Sequence, residues 1–230
     1  MGKKYSEEEI IDIVNREVAC SQNLYRHTII NYTGKTKDIF YSEIISKRLL
    51  ELGIEKLMEQ SIKKISRTKS YHAHPDTIPI RNTTRLEENF AKKLFNERKK
   101  IGFLGRVIEC QIPLKDSQED AVGKIDLVSI DNSGVLYLIE LKYGDNQETL
   151  LRAALEIATY YHELDKDKLI GDFSNKHKGL SIDRIKKAVL LGKTTQAYYE
   201  AMDLTNRPHL NQLIKTLEIQ IAGADTFKKL

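Results

Sequence analysis

Residues 135–139, Val-Leu-Tyr-Leu-Ile, are apolar at every position. A half-buried strand alternates apolar and polar side chains, and this one does not. It has to be covered on both faces, so the chain must supply a layer on each side of a sheet. The run then continues as Glu140-Leu-Lys142. An unpaired carboxylate in such a strand costs several kcal/mol or takes up a proton. The fold and the chemistry of this chain therefore have to be sought in one place.

The preceding segment, Gly123-Lys-Ile-Asp126-Leu-Val-Ser-Ile130, reads as a partner strand, and Asn132-Ser133-Gly134 reads as the turn. A three-residue loop whose last position is left-handed is a place for glycine. That loop pairs Asp131 with Val135 and, counting back, sets Asp126 opposite Glu140. Opposed residues point to one face of a sheet. Lys142, two residues beyond Glu140, shares that face. A four-residue loop would send Asp126 to the other face, so loop length decides whether the acids meet.

Two carboxylates and an ammonium converging on a buried strand call for a divalent cation. Asp126 and Glu140 offer oxygen ligands that suit Mg²⁺ or Mn²⁺. Such an ion lowers the pKa of a bound water and offsets charge on a phosphate. Lys142 is placed to position the nucleophile or to neutralise developing negative charge. An inter-strand salt bridge is the structural alternative. An acid-x-Lys triplet alone means little, since about four are expected by chance in a chain this rich in acids and lysines. The specificity lies in the Asp on the preceding strand, the tight turn and the apolar surroundings.

Around the hairpin the periodicity predicts a helix over residues 84–99, strands over 106–114, 124–130 and 135–143, a helix over 147–164, a strand over 187–191 and polar helices beyond. This is a mixed α/β core over residues 81–230. Residues 1–80 read as a helical N-terminal region. Ser6 and Glu9 form a capping box ahead of Ile10, Ile11, Ile13 and Val14. Further helices are predicted over 37–52, stopping at Gly53, and over 54–65. Residues 66–81, with Pro75 and Pro79, read as a linker.

The segment from Asp126 through Glu140 to Lys142 resembles the PD-(D/E)XK nuclease superfamily. Asp126 matches the motif's first acid, Glu140 its second and Lys142 its lysine, although Ile125 stands where that motif has proline. The resemblance covers about half of the chain. It implies a restriction-endonuclease-like core, built as helix, three strands, helix and strand with a mixed sheet. It also implies Mg²⁺- or Mn²⁺-dependent hydrolysis of phosphodiester bonds, usually in DNA, in restriction, repair or mobile-element settings. A non-catalytic nucleic-acid-binding or assembly protein that keeps the fold is the alternative. The implied partner is nucleic acid, with a homodimer left open.

Many members of that superfamily add a glutamate from the first core helix. Glu87 lies near the middle of the stripe formed by Leu86, Phe90, Ala91, Leu94 and Phe95, and Glu88 lies on its flank. Glu87 is therefore the preferred extra ligand or base, but Thr84 and Glu87 also have the spacing of a capping box. Some members carry Gln-x-x-x-Tyr on the helix after the catalytic strand. Glu156 and Tyr160 have that spacing here, with Glu in place of Gln. Arg152–Glu156 as a surface pair is the reading that the residues favour.

Between Glu59 and Asp76 there is no acid, while Lys63, Lys64, Arg67 and Lys69 occur with Tyr71 nearby. This stretch reads either as a phosphate-binding surface or as a solvated helix end. His72-Ala-His74 offers two imidazoles but no evident third ligand. Gly192-Lys-Thr-Thr has Lys187 where a phosphate-binding loop needs glycine, so that reading is rejected. The 230 residues are 40% hydrophobic and 30% charged, with a net charge of +4, which permits a core without demanding a polyanionic partner. With two cysteines and no apolar run of spanning length, neither a disulfide framework nor a membrane span is expected, and the cytoplasm is the default compartment.

Overall fold

The computed structural model describes residues 4–74, 76–81, 84–116 and 123–230. Helix α1 (Glu7–Glu17) begins with the expected capping box: Glu9 N–H donates to Ser6 Oγ, and Ser6 N–H donates to Glu9 Oε2. Helix α2 (Ser21–Leu24) is short. Strands β1 (Lys35–Thr36) and β2 (Ile39–Phe40) then pair through Lys37 and Asp38, both at positive φ. Two consecutive left-handed residues make the hairpin turn. The helix expected from residue 37 is displaced by it, and α3 spans Tyr41–Glu51. Gly53, at φ 66°, separates it from α4 (Ile54–Ser61). The latter stops short of residue 65 because Ile62 is extended.

Helix α5 (Leu86–Asn96) precedes the strands β3 (Arg106–Pro113), β4 (Lys124–Ile130) and β5 (Leu136–Lys142). Helices α6 (Leu150–Glu163) and α7 (Lys166–Ser174) lead to β6 (Ile185–Leu191). Helices α8 (Gln196–Met202) and α9 (Pro208–Thr216) lead to β7 (Ile219–Gly223). Among the described residues there are thus nine α-helices and a five-stranded mixed sheet ordered β3-β4-β5-β6-β7. The pairs β3–β4 and β4–β5 are antiparallel, while β5–β6 and β6–β7 are parallel. Two elements depart from expectation. Helix α7 intervenes before β6, and β7 occupies a region read as helical, where five residues are too few to define a period. No helix of the described residues is long and apolar enough to cross a membrane.

Every residue of β5 is buried. On one face, Val128, Leu136 and Leu138 pack with Leu150, Ile157 and Ala158 of α6, and the same core continues through Ile10, Val14, Ile45 and Met58. On the other, Leu127, Ile139 and Leu141 lie under Ala91, Leu94 and Phe95 of α5. The boundary at residue 80 is therefore one of sequence pattern, since the N-terminal helices share the core of the sheet. Glu43 of α3 ties them further, accepting from the N–H groups of His209 (3.0 Å) and Leu210 (2.8 Å) at the start of α9.

The described residues of the 66–81 stretch lack helix or strand, as expected of a linker, but two of them are anchored in the fold. Tyr71 is fully buried, and its N–H donates to Asp172 Oδ2. The buried Arg67 guanidinium donates to the carbonyls of Lys69, Ser70, Pro113 and Lys115. This corrects its assignment to a phosphate-binding surface, because its donors are taken by backbone. Lys64 pairs with Asp165 (2.9 Å) and Asp167 (3.2 Å), and the Lys69 ammonium donates to the Asp116 carbonyl. Lys63 is exposed. Arg67 and Arg98 also hold two carbonyls of the edge strand β3, Pro113 and Ile108.

Removing Arg67 leaves buried carbonyls without donors. Arg67→Gln is expected to lower stability by about 2 kcal/mol or more. Lys63→Gln should change it by less than about 0.5 kcal/mol. Urea denaturation of the two variants checks this contrast.

Candidate active site

The turn at Asn132-Ser133-Gly134 has the predicted length: Asp131 N–H donates to the Val135 carbonyl, and Gly134 sits at φ 81°. The register runs Ile130↔Leu136 to Leu127↔Ile139, and one further step sets Asp126 opposite Glu140. Asp126 Oδ2 accepts from Leu141 N–H at 2.9 Å, and its Oδ1 accepts from Gln111 Nε2 at 2.8 Å. Gln111 reaches it from a kinked β3, where φ is 51° at that residue.

The Lys142 ammonium, on a side chain only 4% exposed, lies 2.7 Å from Glu140 Oε1, 2.5 Å from Glu148 Oε2 and 3.2 Å from Glu156 Oε2. The other oxygen of Glu140, Oε2, is buried and has no hydrogen-bond partner. Glu87 Oε2 accepts from Tyr143 N–H and Asn146 Nδ2, both at 3.1 Å. It caps nothing: the N-cap of α5 is Arg85, with no side-chain cap hydrogen bond, so the Thr84–Glu87 box is absent. Glu88 turns aside to Lys92, Arg85 and Lys124.

Glu156 also departs from the surface pair that the residues favoured. Arg152 pairs with Glu148 at 2.9 Å, and Glu156 turns inward to Lys142. Tyr160 Oη donates to Glu156 Oε1 at 2.8 Å and lies 3.3 Å from Tyr25 Oη. With its proton engaged, Tyr160 accepts from Tyr25, which itself accepts from Arg26 Nε at 2.7 Å. Gly123 is required here, because a Cβ at that position would overlap the Tyr160 hydroxyl. Cavities of about 1000 and 590 Å³ open on these groups, and Arg85 and Lys124 line both.

Burial dominates the electrostatics. It raises the Asp126 carboxyl, and it holds Glu87 up to about 7. Glu140 is raised well above the usual carboxylate range by burial and by the facing Glu156. For Glu156 burial is outweighed by Lys142 and Tyr160, so its carboxyl is lowered. For Lys142 burial is likewise outweighed by Glu140, Glu156 and Glu148, and the ammonium is stabilised. The carboxyl groups around Lys142 thus outnumber its single charge.

Gln111, Asn146 and Glu148 were not identified from the sequence. Glu148 had a signal in its spacing to Arg152, whereas Gln111 and Asn146 are placed by backbone shape alone. His72 and His74 do acquire a third group. Their Nδ1 atoms lie 3.0 and 2.8 Å from the two oxygens of the buried Glu109. Cys110 is close enough to His74 and Glu109 to complete a metal-ligand set. However, Glu109 already accepts from the N–H groups of Ala73, His74 and Cys110, and burial pushes the Cys110 thiol up to about 12. The arrangement works as a clasp on residues 72–74. The chain matches no family model, no curated protein and no solved structure, so the site is read from its own geometry.

Two outcomes follow for protein held in chelator. Glu87 binds its proton more tightly folded than unfolded, so its contribution is complete below about pH 4.5 and is lost as pH rises through about 7. The loss is on the order of 3 kcal/mol. Glu87→Gln should flatten the stability curve over that window, measured by urea denaturation between pH 5 and 8. Asp126→Asn removes a desolvated charge while leaving an acceptor for Leu141 N–H. The variant's melting temperature should rise by a few degrees at pH 8, and a fall would favour the salt-bridge alternative.

Proposed function

We propose that the chain is a divalent-metal-dependent nuclease, acting first on DNA, with a restriction-endonuclease-like core. One observation carries this reading: five carboxyl groups, those of Glu87, Asp126, Glu140, Glu148 and Glu156, surround one buried ammonium, and a buried oxygen of Glu140 lacks a partner. A half-satisfied buried network is destabilising, and a cation bound at that oxygen would complete it. The donor set fits a hard cation, with Asp126 and Glu140 as ligands and Glu87 within reach of the same cavity. When bound, Mg²⁺ or Mn²⁺ supplies an acidified water and charge compensation at the phosphate.

The chain's own groups then divide the remaining work. Lys142 carries its charge at all physiological pH values and sits beside Glu140, where it can neutralise a non-bridging phosphate oxygen or orient the nucleophile. Glu156 holds the lysine, and Tyr160 with Tyr25 holds Glu156. The phosphate backbone has Arg85, Lys92, Lys115 and Lys124 along the cavity wall. These take the place of Arg67 as candidate contacts.

The decisive experiment incubates the protein with single- and double-stranded DNA and RNA, with and without Mn²⁺. Cleavage is expected only with metal, and Asp126→Ala should reduce it to the level seen in chelator. Mn²⁺ should also raise the melting temperature of the wild type and not of the variant. Cleavage that persists in excess chelator would overturn the metal-dependent reading. Nucleic-acid binding with neither cleavage nor stabilisation by metal would assign the non-catalytic role.

A further inference from the structure

A second cavity, of about 210 Å³, lies beside the first half of β3. Four separate stretches of chain bring basic side chains to it: Arg98 after α5, Arg106 at the start of β3, Lys176 and His177 after α7, and His72 from the clasped segment. Its floor is apolar, formed in part by Ile108 and Phe173. We infer that this pocket is a binding site for a phosphate group, held by Arg98, Arg106 and Lys176.

Each cation is fixed in place without being neutralised. The Arg98 guanidinium lies 4.1 Å over the Phe95 ring and donates to the Ile108 carbonyl. Arg106 donates to the Arg98 carbonyl. The Lys176 ammonium sits 2.6 Å from His72 Nε2. His72 Nδ1 in turn lies 3.0 Å from Glu109 Oε2. Lys176 is therefore held against the His72 ring. Asp76 is the one acid lining the pocket; it stands 3.6 Å from Arg98 on a fully solvated side chain, where screening makes the pair weak. Among the described residues, Arg106 and Lys176 have no acidic partner within ion-pair distance. The field of these groups is felt inside the pocket, where burial, Lys176, His72 and Arg98 together hold the His177 imidazole below its usual range. Like charges gathered around a concavity are stabilised by an anion.

Size selects the anion. The volume is below the roughly 300–1,000 Å³ of pockets that enclose a whole small ligand, so it suits one phosphate with its base and sugar outside. Location suggests the source. Val107 borders this pocket and Gln111 borders the candidate active site, and both are on β3. Four residues of strand span about 13 Å, a distance that one nucleic-acid strand can bridge. The clasped segment also walls both spaces, His72 here and His74 there. The phosphate then belongs to a nucleic-acid strand gripped to one side of the scissile bond, an assignment that rests on the nuclease reading.

The test uses the full chain in chelator. Inorganic phosphate is titrated at constant ionic strength while the ring signals of His72 and His177 are followed by NMR. Saturable shifts are expected in the wild type. In Arg106→Gln/Lys176→Gln, both exposed positions, the apparent Kd should rise at least ~10-fold, with an unchanged melting temperature showing that the variant is folded. Fluorescence anisotropy with single- and double-stranded oligonucleotides forms the second arm. The double variant should bind them more weakly, with a salt slope reduced by ~0.7–0.9 for each phosphate that is no longer neutralised. Absence of saturable shifts in the wild type, or their persistence in the variant, overturns the pocket. Phosphate binding with unaltered oligonucleotide affinity overturns the nucleic-acid source and assigns free phosphate or a mononucleotide. Intact phosphate binding in a protein that cleaves nothing would instead overturn the nuclease reading and leave the pocket standing.

Discussion

The arrangement of this molecule turns on one buried ammonium. Lys142 is carried inward by a strand with no exposed residue, and its charge is tolerated because Glu140, Glu148 and Glu156 surround it. Removing one member of such a set leaves uncompensated charge in a low-dielectric interior, typically a loss of 3–5 kcal/mol. The lysine also fixes geometry, since it draws α6 against β5 through Glu156 and draws the segment after β5 inward through Glu148. The acids it gathers exceed its own charge, and with burial this holds the carboxyl of Glu140 well above its usual range.

Much of this was written in the local sequence. The turn glycine at 134 set the loop length, the loop length set the register, and the register set Asp126 against Glu140. The two acids of α5 line the cavity together, Glu87 accepting from Tyr143 and Asn146 and Glu88 pairing with Lys92. What was not legible depended on contacts between distant segments. Glu156 was read as half of a surface pair because i,i+4 spacing sees only its own helix, whereas its partner is on β5. Arg67 looked like a solvated cation because two of its four carbonyl acceptors, those of Pro113 and Lys115, are distant in sequence. The hairpin at Lys37-Asp38 was hidden because neither residue advertises a left-handed backbone. Strand β7 was hidden by its brevity.

The N-terminal helices are more than an appendage to the sheet. Their apolar faces complete the core above α6, Glu43 anchors the start of α9, and Tyr25 reaches the candidate active site through Tyr160. A hydroxyl chain that ends on Glu156 therefore begins outside the α/β core, and the orientation of an acid beside Lys142 depends on residues more than a hundred positions earlier in the chain.

The two margins of the sheet are treated alike by different means. At β3, guanidinium groups of Arg67 and Arg98 occupy carbonyls that a further strand would use. At β7, the C-terminal residues fold back, with Leu230 N–H donating to the Ile221 carbonyl and Gly223 N–H to that of Lys228. Unpaired margins are templates for uncontrolled association between copies. With groups of both margins engaged, the five-stranded sheet is discouraged from growing by strand addition into dimers or fibrils.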